Sequence, residues 1–311
     1  KQGFQQYQDI YDFHIYEEPK NVKGALKKYD ELFAKYGGKK PIWSTEIGLN
    51  SSGMTRLVIT RDMIKKFAVF FANGGQNMSW FDILYPDKTG KNDGTTGESM
   101  NVFKSKYSLY CPRLDAVSYY NMVNGICIKK FVQEKAYERG MEAVLFRDKD
   151  NRCLAVVWKE EDREDAFLPL NGVGKVKLVR VDGSSAELDA QGRGLSLTIS
   201  EDPVLLFLDS AGMKFADKLE KSSVALNDTF DPVIKGSSQK ITFTAEGVKP
   251  DDISFTVPPF WSVKGPEISG KEVGFTVSAP ALTGTRKARM ILNFRNRSGE
   301  LAFYLPVSEK R

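Results

Sequence analysis

Histidine and cysteine are scarce in this chain of 311 residues, which has one histidine and three cysteines. Protein metal sites are built from several such ligands at short, regular spacings. His14 stands alone, and Cys111, Cys127 and Cys153 are irregularly spaced. We therefore expect no metal site, no cofactor and no disulfide framework. Buried free thiols are expected, with one bridged pair as the alternative in an oxidising compartment.

Long apolar runs are also missing. No run approaches the roughly 18 residues of a membrane-spanning helix, so no membrane span is predicted. The chain has no Gly-x-Ser-x-Gly sequence, which argues against a serine hydrolase of the Ser/His/Asp type. The net charge of +5 comes from lysines that are interspersed with acids. Without a basic stripe, nucleic-acid binding is not expected.

Three short apolar strands alternate with two helical segments at the start of the chain. Helical spacing of apolar residues predicts helices over 24–36 and 60–73. The strands are predicted around residues 9–16, 40–48 and 77–84. Strands separated by helices of this length pair in parallel through right-handed crossovers, so their carboxyl ends share one face. Active sites of α/β barrels lie on that face.

Side-chain alternation predicts which residues of these strands point the same way, because positions i and i+2 share a side. Three sets follow: Asp12, His14 and Tyr16; Ile42, Ser44 and Glu46; Met78, Trp80 and Asp82. Thr45 is expected on the opposite side of its strand. The polar sets suit the mouth of a barrel. We therefore expect four side chains to converge on one pocket, namely His14, Tyr16, Glu46 and Trp80.

These strands carry three short motifs: His14-x-Tyr16, Thr45-Glu46-x-Gly48 and Ser79-Trp80. Their order and spacing resemble strands six, seven and eight of the clan A glycoside hydrolases, the retaining glycosidases that include families 5 and 39. The resemblance implies that Glu46 is the nucleophile and that Tyr16 hydrogen-bonds to it. It also implies that His14 contacts the substrate and that Trp80 stacks on a sugar ring. Asp82, on the same side as Trp80, is expected to bind substrate as well.

The resemblance also implies a missing partner for Glu46. In the clan, the general acid/base is a glutamate that follows an asparagine at the end of strand four, and this chain contains no Asn-Glu pair. We expect the chain to be the C-terminal portion of a longer enzyme, active as a glycosidase only when the N-terminal segment of the barrel is present. The alternative is a non-catalytic carbohydrate-binding or scaffold protein on a degenerate barrel.

The fold class expected is α/β plus all-β. Residues 1–128 are predicted to form strands six to eight of a (β/α)8 barrel, with a last helix over 113–125 and a long irregular loop over 85–105. Short strands separated by turns then predict two antiparallel β-sandwiches. We place the first at 129–210, packed on the barrel, and the second, immunoglobulin-like, at 222–311.

Three further expectations concern the surface, the substrate and the location. The segment from Pro258 to Trp261 is either an exposed aromatic platform for polysaccharide or, as we prefer, a turn whose aromatic rings fill the core. Carbohydrate is the substrate expected from the resemblance. A secreted, periplasmic or cell-surface location fits the composition.

Overall fold

A computed structural model describes residues 7–83, 100–103, 111–227 and 229–309. Within these residues the chain is mostly β, with several sheets and three α-helices. Most of the loop predicted over 85–105 lies outside the described residues. None of the described helices is long and apolar enough to cross a membrane.

The first part of the chain is a three-stranded sheet of parallel strands in the order β1-β2-β3. A helix follows each of the first two strands. The elements are β1 Tyr11–Ile15, α1 Pro19–Tyr36, β2 Ile42–Gly48, α2 Arg56–Ala72 and β3 Gly75–Phe81. The parallel pairing expected from the alternation of strands and helices is therefore present.

The helix ends follow ordinary capping rules. Pro19 occupies the first turn of α1, where its missing N–H costs no hydrogen bond. Gly37 ends α1 with a φ of 75°, and its N–H donates to the carbonyl of Phe33. Thr55 caps α2, where its side chain accepts from the N–H of Val58.

One face of this sheet is covered by helices. Ile15 and Ile42 are buried there with Leu26 and Phe33 of α1 and Phe70 of α2. A third helix, α3 Leu114–Ile126, packs against α2. The opposite face carries Asp12 and His14, which are exposed. The apolar residues of β1 are thus on the helix side of the sheet, and the polar residues are on the opposite side, as alternation predicts. We call that opposite side the free face.

The next strands form a six-stranded antiparallel sheet in the order β4-β5-β6-β11-β8-β9. Its strands are β4 Lys130–Tyr137, β5 Met141–Arg147, β6 Arg152–Lys159, β8 Lys175–Val179, β9 Ser185–Asp189 and β11 Val204–Asp209. One face, including Phe146 and Trp158, joins the core beneath the helices. The other face, including Leu145 and Val157, closes a second core.

A third core lies between two further sheets. The larger sheet has the order β12-β7-β10-β20-β19-β16, with β14 also paired to β20, and the smaller has the order β13-β15-β18-β17. The strands are β7 Arg163–Pro169, β10 Gly194–Ser200, β12 Glu220–Lys221, β13 Val224–Ala225, β14 Val233–Ile234, β15 Ser238–Ala245, β16 Ile253–Thr256, β17 Ser262–Ser269, β18 Glu272–Ser278, β19 Lys287–Phe294 and β20 Gly299–Ser308.

The larger sheet joins the two segments that were predicted as separate sandwiches. Strands β10 and β20 pair in parallel, with Ser196 opposite Gly299. A Cβ on Gly299 would lie 2.1 Å from the Ser196 carbonyl oxygen, so only glycine fits this junction. Close by, the Arg180 Nε donates to Glu300 Oε1 at 2.7 Å, and a second guanidinium nitrogen donates to Oε2. The boundaries given above for the sandwiches remain predictions.

The turn before β17 contains two aromatic residues, of which one is buried and one is exposed. Trp261 is 8% exposed and belongs to the third core, whereas Phe260 is 92% exposed. The preferred expectation, that both rings fill the core, is therefore wrong for Phe260.

The three cysteines are all free, but Cys111 and Cys127 are exposed, so the expectation of buried thiols is wrong for these two. Only Cys153 is buried.

The Arg180–Glu300 pair allows a test of the junction. Both side chains are buried, and removing one member of a buried pair costs about 3–5 kcal/mol because it leaves the other charge uncompensated. We expect Glu300→Gln to lower the free energy of unfolding by about 3 kcal/mol in urea titrations. Glu267→Gln, which removes the exposed partner of Lys240, is the control and should have little effect. Equal, small effects of both variants would contradict the role given to this pair.

Candidate active site

A tyrosine and a glutamate meet where β1 and β2 end. Tyr16 directly follows β1, and its hydroxyl donates a hydrogen bond to Oε1 of Glu46 near the end of β2. The Glu46 side chain is 31% exposed, so a molecule in solvent can reach it. The contact expected from parallel pairing is therefore present, and Glu46 points away from the helix layer.

His14 lies against the same carboxylate. Its Nδ1 is 3.4 Å from Oε2 of Glu46, and its Nε2 is 3.2 Å from the hydroxyl of Thr45. Asp12 lies on the far side, where its carboxylate accepts from the N–H of Thr45 at 2.8 Å and from the Thr45 hydroxyl at 2.6 Å. One continuous chain of polar contacts thus runs from Asp12 through Thr45 and His14 to Glu46.

Thr45 is on this face because β2 carries an extra residue. Asp12 is opposite Trp43 and His14 is opposite Glu46, so two residues of β1 span three of β2. The pairing with β3 shifts in the same region. Such bulges re-aim side chains and are frequent beside active sites. The prediction that Thr45 faces the opposite side from Glu46 is therefore wrong.

Trp80 does not join this group. It is 5% exposed, and its ring stacks on Phe67 of α2 with centroids 6.3 Å apart. It therefore belongs to the core beneath the helices rather than to the pocket. The ring that does lie beside Tyr16 is Phe81, in an edge-to-face arrangement with centroids 6.0 Å apart. The expectation that Trp80 lines the pocket with Glu46 is therefore wrong.

The sequence of β3 contains a signal for the position of Phe81. Met78 and Trp80 have the same parity and are the apolar set of β3, whereas Asn77 and Ser79 are the polar set. Phe81 shares the parity of Asn77 and Ser79, which are both exposed. Asp82 follows β3 and is half-buried, and its backbone carbonyl accepts from the N–H of Val102. A substrate contact by Asp82 stays a prediction.

A buried lysine on the helix side of the sheet bridges the ends of β1 and β2. Lys66 of α2 is fully buried, and its Nζ donates to the carbonyls of Ile15, at 3.4 Å, and of Gly48. Burial lowers the pKa of Lys66 to about 8, although the charges of Asp62 and Glu17 act in the opposite direction.

Above this lysine, Gly48 permits a close approach of backbone and ring. A Cβ there would lie 2.5 Å from the Phe81 carbonyl oxygen and 2.9 Å from the Tyr16 ring. A larger residue would therefore push Tyr16 away from Glu46.

Hydrogen bonds keep the Asp12 carboxyl on the free face ionised. Burial raises the pKa of the Asp12 carboxyl, but the hydrogen bonds from the Thr45 hydroxyl and N–H, with His14 nearby, outweigh it and leave the pKa below its usual value. Asp12 is therefore an acceptor for Thr45 near neutral pH. Among the described residues, no group of three or more His, Cys, Asp or Glu side chains is arranged to hold a metal ion.

Comparison with solved structures shows a related fold. The chain aligns with a family 39 glycoside hydrolase from the gut symbiont Bacteroides cellulosilyticus WH2 at a TM-score of 0.51 and 14% identity, covering 67% of this chain and 46% of that one. An endo-β1,6-glucanase aligns at a TM-score of 0.38 and 14% identity, covering 66% of this chain and 42% of that one, a score too low to establish a shared fold. The chain thus spans less than half the length of either protein.

Sequence comparison adds no assignment. No protein-family model matches the chain, and a comparison with curated proteins gives no significant match. At 14% identity the family 39 enzyme shows a likeness of fold alone.

The buried position of Lys66 predicts an unusual dependence of stability on pH. Its pKa is about 8 in the folded chain and about 10.4 in an unfolded chain. The unfolded state therefore binds more protons between these values, and the cost of burying the charge disappears as pH rises. Relative to Lys66→Met, the wild-type chain should gain about 2–3 kcal/mol of unfolding free energy between pH 7 and pH 10.

The measurement is chemical denaturation of both proteins at each pH. Lys27→Met, which removes an exposed lysine from α1, is the matched control and should track the wild type. A difference between wild type and Lys66→Met that stays constant with pH would show that Lys66 has no lowered pKa.

Proposed function

We propose that this chain carries the nucleophile half of the active site of a retaining glycosidase that acts on an oligo- or polysaccharide. The observation that carries the proposal is the hydrogen bond from Tyr16 to Glu46 at the carboxyl ends of two adjacent parallel strands. The likeness in fold to a family 39 glycoside hydrolase supports it, as do the motifs that resemble clan A.

In a double displacement, one carboxylate attacks the anomeric carbon and a second carboxyl group protonates the leaving oxygen. Glu46 suits the first role because part of its carboxylate is accessible and its direction is fixed. Tyr16 occupies Oε1, which leaves Oε2 to attack the sugar from the free face of the sheet. We assign His14, which lies next to Oε2, to a contact with a substrate hydroxyl. Phe81, whose ring lies beside Tyr16, offers an apolar surface to the sugar in place of Trp80.

The second carboxyl group is assigned to strands that complete a (β/α)8 barrel. In the described part of the chain, no strand pairs with the outer edge of β1 or of β3. Unpaired edges of this kind readily accept further strands. We propose that the polypeptide that completes the barrel pairs there and brings the general acid/base opposite Glu46, and that β1, β2 and β3 correspond to barrel strands six to eight.

A trapping experiment tests the assignment of Glu46. The completed enzyme would be treated with a panel of fluorinated glycosides that accumulate the covalent intermediate, and the label located by peptide mass. We expect the label on Glu46. Glu46→Gln should abolish labelling and turnover while leaving sugar binding intact, because the amide keeps the shape but cannot attack.

Two further variants complete the comparison. Tyr16→Phe should lower the labelling rate by about 10- to 100-fold, since a hydrogen bond to a charged group contributes about 1.5–3 kcal/mol. Glu31→Gln, an exposed carboxylate on α1, should behave as wild type. Label on another carboxylate would overturn the assignment. Sugar binding without any labelling would favour the non-catalytic carbohydrate-binding alternative.

A further inference from the structure

Asp12 and Thr45, which have no role in the proposed reaction so far, make two short polar contacts with each other on the free face of the sheet. The Thr45 hydroxyl is 2.6 Å from Oδ2 of Asp12, and the Thr45 N–H is 2.8 Å from Oδ1. Asp12 thus holds both polar groups of one residue. The bulge in β2 brings Thr45 to this position, so the arrangement depends on the backbone as well as on the two side chains.

The direction of each hydrogen bond follows from which group can donate a proton and which can only accept one. An ionised carboxylate only accepts, and Asp12 is ionised near neutral pH because its pKa is lowered. The Thr45 hydroxyl therefore donates its only hydrogen to Asp12. Its oxygen is left to accept, and the neighbour 3.2 Å away is Nε2 of His14. This contact is a hydrogen bond only if Nε2 carries the proton. The second acceptor on that side, Oδ2 of Asp12, lies 3.7 Å from Nε2.

The protonation state of the other ring nitrogen, Nδ1, follows from the position of the ring. With Nε2 directed at Thr45, Nδ1 lies 3.4 Å from Oε2 of Glu46. This separation is longer than an ordinary hydrogen bond of 2.7–3.2 Å, whereas the Nε2 contact falls at the edge of that range. Glu46 Oε1 already accepts from Tyr16. The geometry therefore favours a proton on Nε2 and leaves Nδ1 of the neutral ring without one.

We propose that Asp12 and Thr45 are positioning residues that set the tautomer and orientation of His14, so that its unprotonated Nδ1 faces Glu46 and leaves Oε2 free to react. The catalytic consequence rests on the proposed role of Glu46 as nucleophile. The tautomer itself does not, because it follows from the distances of the ring nitrogens of His14 to Thr45 and Glu46, whatever reaction Glu46 performs. The two can therefore be tested separately.

His14 is the only histidine in the chain, which makes the tautomer directly measurable. The 311-residue chain would be labelled with ¹⁵N-histidine and studied alone and with unlabelled polypeptide that completes the barrel. Long-range ¹H–¹⁵N spectra, recorded at a pH where the imidazole is neutral, distinguish the two tautomers by their ¹⁵N shifts. We expect the wild-type chain to show the Nε2-protonated form.

Thr45→Val and Thr45→Ser are matched variants. Valine keeps the shape of threonine but has no oxygen to accept from Nε2. The acceptor that remains there, Oδ2 of Asp12, is 3.7 Å from Nε2, whereas Oε2 of Glu46 is 3.4 Å from Nδ1. The proton should therefore move to Nδ1, where Glu46 accepts it. Serine keeps the hydroxyl and should retain the wild-type spectrum. A wild-type ring protonated on Nδ1, or a Thr45→Val spectrum identical to wild type, would overturn the proposal. Amide spectra show whether each variant is folded, and Asp12→Asn provides a second route if Thr45→Val is not.

The catalytic consequence is tested by the labelling kinetics of the completed enzyme. A proton on Nδ1 would donate to Oε2 of Glu46 and weaken its attack. Thr45→Val should therefore slow labelling by the fluorinated glycoside about tenfold or more, the effect of a hydrogen bond to a charged group, and Thr45→Ser should restore it. A changed tautomer with an unchanged labelling rate would refute the catalytic consequence. Absence of labelling in the wild type would refute the proposed function and leave the tautomer assignment intact.

Discussion

The hydrogen bond from Tyr16 to Glu46 depends on two strand ends being held side by side. Tyr16 lies one residue beyond β1 and Glu46 lies two residues before the end of β2. Parallel pairing with a helical crossover places both ends on the same side of the sheet. The helices also bury the apolar residues of these strands, so the polar residues face the opposite side. The position of the candidate nucleophile is thus a consequence of how the sheet is assembled.

This arrangement requires two unusual features beneath the site. Lys66 is buried although its charge is costly in that environment, and it donates to a carbonyl of each strand. Gly48 leaves room for the Tyr16 ring and the Phe81 backbone where any side chain would collide. Both features constrain the backbone within a few residues of Glu46. We interpret them as the support that keeps the Tyr16–Glu46 pair in one geometry.

The sequence predicts the parts of this structure that depend on local rules. The order of strands and helices implied parallel pairing, and period-two alternation put His14, Tyr16 and Glu46 together. Alternation failed at Thr45 because nothing in the sequence marks the extra residue in β2. The expectation for Trp80 fails because the side of β3 that Trp80 shares with Met78 is the apolar side, which packs beneath the helices. The pairing of β10 with β20 joins residues about a hundred positions apart, and no local pattern indicates such a partner.

The central claim is that Glu46 forms a covalent bond with a sugar on the free face of this sheet. A crystal structure of the completed enzyme, soaked with the fluorinated glycoside that labels it, tests this most directly. We expect electron density joining the anomeric carbon to Oε2 of Glu46, with Tyr16 still donating to Oε1 and the sugar lying beside Phe81. A sugar bonded to another carboxylate, or bound far from β1 and β2, would contradict the account.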